Sequence, residues 1–137
     1  MKRFLINALE VLGIVYLRFR PLPRAWCVWL VAANAACLLF IGQIEAQAVL
    51  AVTAIAVISQ VLIYQRTGFT RILGFTHILW IPMFAWMATR LDAIATDPAL
   101  ANWLMVLLAT NALSLIVDAG DSFRFARGER APHYTWR

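Results

Sequence analysis

Five polar residues mark one face of the last apolar segment. Asn111, Ser114, Asp118, Asp121 and Arg124 follow one another at steps of three, four, three and three, the spacing that keeps side chains on one side of an α-helix. Carboxylates so placed could concentrate cations at a mouth, with amides and hydroxyls leading a hydrated path away from it. Every other apolar segment also carries polar groups: Asn34, then Thr53 and Gln60, then Thr76 and His77. An ionised aspartate at the centre of a bilayer costs about 2.5 to 3.5 kcal/mol. These side chains are therefore expected to face inward, toward water or into a contact with another chain.

Plainer roles stand beside that chemistry. Asn34 and Gln60 serve equally as hydrogen-bonding links between helices, worth about 0.6 to 2 kcal/mol each. Asp118 and Asp121 could pair with Arg124, or with arginines from the N-terminal segment and the middle loop. His77 and His133 are the two histidines, and His133 falls in the tail, so one chain cannot offer two facing imidazoles to a haem. No cofactor is expected, and the residues leave the question of a metal open: His77 would need a ligand from a symmetry mate, while Asp118 and Asp121 could hold a divalent ion against a lipid phosphate. Cys27 and Cys37 lie ten residues apart in one segment, about 15 Å along a helix, too far to bridge.

The elements that must position these groups are helices. The chain is 63% hydrophobic and 14% charged over 137 residues, more apolar surface than a soluble domain of that size can hide. The predicted fold class is an all-α integral membrane protein, a four-transmembrane-helix up-down bundle preceded by an N-terminal amphipathic interfacial helix. Residues 1–24 form that helix and a basic linker, and residues 25–117 the transmembrane domain, with spans at about 25–44, 46–64, 72–89 and 99–117. Residues 118–137 form a basic tail. Each span is near the ~20 residues that a ~30 Å hydrocarbon core requires, and the short connections make sequence neighbours antiparallel neighbours. Alanines at 32, 33, 35 and 36 and at 48, 51, 54 and 56 are expected to let the first two spans approach as a tight hairpin, or to mediate self-association. Pro82 removes a hydrogen bond to Ile78 and is expected to kink the third span.

Charge predicts orientation. Lys2, Arg3, Arg18, Arg20, Arg24, Arg66, Arg71, Arg124, Arg127, Arg130 and Arg137 all fall before the first span, in the middle loop or after the last, with Arg90 alone opposite beside Glu45, Asp92 and Asp97. Eleven against one puts both termini in the cytoplasm of a bacterial-type inner membrane by the positive-inside rule. Trp26 and Trp29 at one boundary, and Trp86 and Trp103 at the other, fit interfacial aromatic belts. Basic residues flanking apolar runs follow membrane topology, which argues against nucleic acid despite the net charge of +5.

The stretch "FLINALEVLGIVYL" is short for a span and carries Asn7 and Glu10 on the side of Arg3, so it is expected to lie in the interface until Pro21 and Pro23 end it. Glu10 in its core, and the lack of a small-x-small pattern before Arg18, predict retention of the segment rather than cleavage. Within it, the seven residues "LEVLGIV" resemble the opening helix of small multidrug-resistance transporters. That resemblance implies a membrane-embedded Glu10 coupling protons to export, a fifth span, and Lys2 and Arg3 facing outward against the charge rule. The activity is not carried over on seven residues.

Three functions fit this pattern. The first is an oligomeric ion pathway, a cation channel with Asp118 and Asp121 at its inner mouth and Glu45, Asp92 and Asp97 at the outer. The second is an accessory or scaffold subunit that binds a larger membrane complex and anionic lipid. The third is a metal-dependent lipid-modifying enzyme, for which two carboxylates make a thin site. The expected partners are accordingly membrane lipids, a second copy or a larger membrane complex, and ions.

Overall fold

The structure is a computed structural model describing residues 2–136, helical through almost its whole length. Helix α1 (Lys2–Gly13) continues as one π-helical stretch, Ile14–Arg18; α2 spans Pro21–Phe40 and tightens into a 3-10 helix from Ala36; α3 is Ile44–Thr67; α4 spans Arg71–Ala88; α5 is the short Leu91–Ile94; and α6 is Pro98–Ala126. Four of these, α2, α3, α4 and α6, are long and apolar enough to cross a membrane. The expected all-helical class and its four long apolar helices stand.

Local chemistry sets the ends. Pro21 and Pro23 occupy the first turn of α2, where a missing N–H costs nothing because no carbonyl precedes it to be bonded. They begin a helix as well as ending the one before. Gly68, at φ +70°, stops α3 in a conformation that a side chain disfavours. Asp97 caps α6 by accepting from the Ala99 and Leu100 amides at 3.0 and 3.1 Å, with Pro98 at the first helical position. Helix α6 runs on beyond the span expected to end near Val117, to Ala126, so it carries the whole stripe through Arg124, and the first nine residues of the basic tail are helical. Asp118, Asp121 and Arg124 do not break a helix, and Gly120 alone is too weak a breaker.

Two ends of the bundle differ in kind. Toward the α2–α3 turn, side chains such as Val49, Trp80, Met83, Met87, Leu104 and Leu107 pack into a closed apolar core. There Glu45, 3% exposed in the first turn of α3, accepts from Arg90 Nε at 2.7 Å. Toward the other end the helices separate around a cavity. The bundle's outside is apolar along its length, with Leu39, Ile55, Ile81, Met105 and Ile116 exposed, a surface that water would not favour.

The expected alanine hairpin is only part of the packing. Ala46 and Ala56 are buried, but Ala51 and Ala54 are exposed, and Ala48 and Ala51 line an open apolar groove against Pro82, Met83 and Trp86 of α4. Helix α4 packs most extensively on α6 and α3. Its irregularity also differs from the expected proline kink: residues Arg71–Leu79 are 3-10 helix, and regular α-helix begins at Trp80.

Candidate functional site

The 3-10 stretch of α4 assembles the site. With three residues per turn, side chains at i and i+3 eclipse one another, so Arg71, Gly74, His77 and Trp80 fall on one line. This line lies against α6. Arg71 forms an ion pair with Asp121 and a second with Glu129 at 3.2 Å. Gly74 abuts the carboxylate of Asp118, which any Cβ there would strike. His77 Nδ1 stands 2.7 Å from Asp118 Oδ2, and the Trp80 ring stacks on the imidazole with centroids 4.2 Å apart and planes within 5°.

Hydrogen-bond arithmetic sets the proton positions. The Gln60 amide nitrogen is 2.9 Å from His77 Nε2 and can only donate, which leaves Nε2 bare and places the ring hydrogen on Nδ1, donating to Asp118. Ser114 also donates to Asp118 Oδ2, at 3.4 Å. A second proton on the imidazole would point at Gln60, whose amide would have to turn its oxygen inward to accept it. Gln60, His77, Ser114 and Asp118 thus form one hydrogen-bonded chain across α3, α4 and α6.

A second polar cluster lies beside the first. Asn34 and Asn111 exchange two amide bonds, at 3.0 and 3.2 Å, and Thr53 donates to Asn34 Oδ1 at 3.3 Å. Asn34 also donates to its own helix at Leu30, at 2.9 Å. Trp29 and Trp103 add indole bonds to Thr110 and to the Ala33 carbonyl at 3.1 and 3.0 Å. These bonds tie α2 to α6.

Between the clusters and the chain's two terminal segments lies a cavity of about 860 Å³. Asn34, Thr53, Gln60, His77, Ser114 and Asp118 share its polar lining with Arg20, Thr70, Arg71, Asp121 and His133; its apolar walls come mainly from α1, α2 and α3. The tail closes one side. Tyr134 packs with Phe19 and Phe69 at centroid distances of 4.6 and 6.0 Å, the His133 amide donates to the Phe69 carbonyl at 3.0 Å, and the Trp136 ring covers Gly13, where a Cβ would collide with it. Arg18 reaches the Trp136 carbonyl at 3.1 Å. Glu10, the residue singled out by the transporter resemblance, lies outside this chain of bonds and accepts from Tyr64 at 2.9 Å.

The α6 stripe is therefore satisfied inside one chain. Asn111 is fully buried against Asn34, Ser114 donates to Asp118, Asp118 meets His77, and Asp121 meets Arg71 from the middle connection. Arg124 stands apart and pairs with Glu129 at 3.0 Å. Sequence spacing did not reveal the His77–Asp118 pair, although the steps of three from Arg71 to Trp80 carried a signal. Among the described residues no three histidine, cysteine, aspartate or glutamate side chains come together as a metal site.

Glu129 gives the tail a pH dependence. Its hydrogen bond from Arg124 outweighs the opposing desolvation, and with the charges of Arg124 and Arg71 it holds the carboxyl below its ordinary value of 4.5. A carboxyl lowered in the folded chain contributes stability above its ordinary value and loses it as pH falls through the lowered one. Tail docking should be intact at neutral pH and loosen only below 4.5, read from the fluorine resonance of a fluorotryptophan at Trp136; Glu129→Gln should loosen it at neutral pH.

Comparison of the chain with protein-family models, with curated proteins and with solved structures finds no match.

Proposed function

We propose that this is a four-span inner-membrane protein with both termini cytoplasmic, forming an ion pathway in which an inward-facing cavity within each protomer accepts protons or small cations. One observation carries the reading: His77 and Asp118 sit 2.7 Å apart on the wall of the cavity of about 860 Å³. An imidazole is the side chain that exchanges protons near neutral pH, and an intramembrane ionisable pair is by default a functional one. The charge rule supports this orientation, with the Arg71–Asp121 end inward. The apolar core around Met83, Met87 and Leu104 then forms the barrier to the outer side. The 3-10 to α-helix junction at Trp80 is the place where α4 could move.

Purified protein in vesicles should dissipate an imposed proton or potassium gradient. His77→Gln and Asp118→Asn should each slow it on the order of tenfold, the effect of losing a charged hydrogen-bonding partner worth about 1.5 kcal/mol. Unchanged flux in both would make the pair structural. The groove between α3 and α4, about 400 Å³ and lined by Ala48, Ala51 and Pro82, favours a second reading as an accessory subunit, since small residues accept a neighbouring helix. Folded protein without flux, or protein that purifies only with a second chain, would decide for that reading.

A further inference from the structure

We propose that the same cavity binds an uncharged, membrane-dissolved molecule ending in a carbonyl or hydroxyl oxygen, which enters from the side between α2 and α3. The inference rests on the four helices lying in a bilayer but not on ion movement. A volume of about 860 Å³ falls among pockets of roughly 300 to 1,000 Å³ that hold small molecules, typically apolar with a few convergent polar groups.

Trp80 points to the chemistry of the head. Its side chain is on the cavity lining and only 2% exposed, yet its indole N–H finds no acceptor in the protein. A buried donor left unpaired is costly, and such groups ordinarily have a partner. The fitting partner is an oxygen. Asp118 Oδ2 already meets His77 and Ser114, whereas the Trp80 N–H is a polar group of the wall without a partner. The charged side chains of the lining are balanced, Arg20 and Arg71 against Asp118 and Asp121, so the wall as a whole selects no single sign of charge.

The walls point to the route. Val31 of α2 and Val57 of α3 line the cavity and are half exposed, so the cavity is not sealed between these two helices. Both lie near the middle of their helices. An unsealed wall at that height is an opening, and in a membrane it would face hydrocarbon.

Two photoreactive probes with one alkyl chain test this in reconstituted vesicles, one ending in a hydroxyl and the other in a benzoquinone ring. Illumination should label Leu30, Val31 and Val57 saturably. Trp80→Phe, which keeps the stacked ring and loses the donor, should weaken saturation about fivefold, the loss of one hydrogen bond. Stronger saturation by the quinone would identify a redox-carrier-like ligand, and by the alcohol a lipid alcohol; either supports the site. Labelling at Ile81 and Ile116 should be unsaturable and reports immersion alone, so its absence would overturn the membrane reading. Exterior labelling without saturable cavity labelling, or saturation unchanged in Trp80→Phe, would overturn the binding site.

Discussion

Arg90→Ala is expected to destabilise the folded protein by about 3 kcal/mol, the low end for stripping the partner from a buried ion pair. Glu45 is 3% exposed and Arg90 Nε is its hydrogen-bonding partner at 2.7 Å, so the substitution leaves a carboxylate enclosed by protein. Two features keep the cost from being higher. Glu45 occupies the first turn of α3, where the helix dipole favours a negative charge, and the Arg90 side chain is one-third exposed, which admits solvent screening. Denaturation by sodium dodecyl sulfate in mixed micelles measures the effect. Arg90→Ala combined with Glu45→Gln should recover much of the loss, because the charge goes with its partner; equal loss in the double variant would show that the pair matters by packing alone.

The second large effect is an asymmetry within the buried amide pair. Asn111 has Asn34 as its side-chain partner, whereas Asn34 also bonds Thr53 and the Leu30 carbonyl. Asn34→Ala therefore strands Asn111 in a fully buried position and takes the acceptor from Thr53. Asn111→Ala leaves Asn34 with two partners. The expected losses are about 3 kcal/mol for Asn34→Ala and about 1.5 kcal/mol for Asn111→Ala, from the cost of leaving buried polar groups unpaired. The double variant should be scarcely worse than Asn34→Ala, since coupled neighbours do not add. Equal and additive losses would mean that the two amides do not act as a pair.

What could be read in advance followed from properties that add up along the chain. Length and hydropathy suffice to find the four long helices, because each is set by composition over about twenty residues. The stripe on α6 was visible because an α-helix repeats every 3.6 residues. Arg71, a middle-loop arginine, does meet Asp121 as one reading expected. The partner of Asp118 was hidden: His77 lies forty-one residues away, and the pairing depends on α4 winding as a 3-10 helix, which α-helical spacing misses. The same stripe required α6 to continue past Val117 through Arg124, and it does, to Ala126, because charge exposes a helix without ending it. The tail could be read only as basic, and its docking could not: Pro132, His133, Tyr134 and Trp136 dock on Gly68, Phe69, Phe19 and Gly13, and such contacts between chain ends have no local signature.

The winding of α4 also sets its reach. A 3-10 helix climbs about 2.0 Å per residue against 1.5 Å in an α-helix. With nine residues of each kind, α4 extends through about 31 Å, where plain α-helix of the same length would cover about 27 Å. The difference is that between matching and falling short of a ~30 Å hydrocarbon layer. Thickness and alignment are thus one property in this helix. Rewinding it as α-helix to suit a thinner layer would shorten α4 and rotate Arg71, Gly74, His77 and Trp80 out of line with Asp118 and Asp121. In the membrane orientation proposed above, the bilayer itself would then act on the His77–Asp118 pair through mismatch with a single stretched helix.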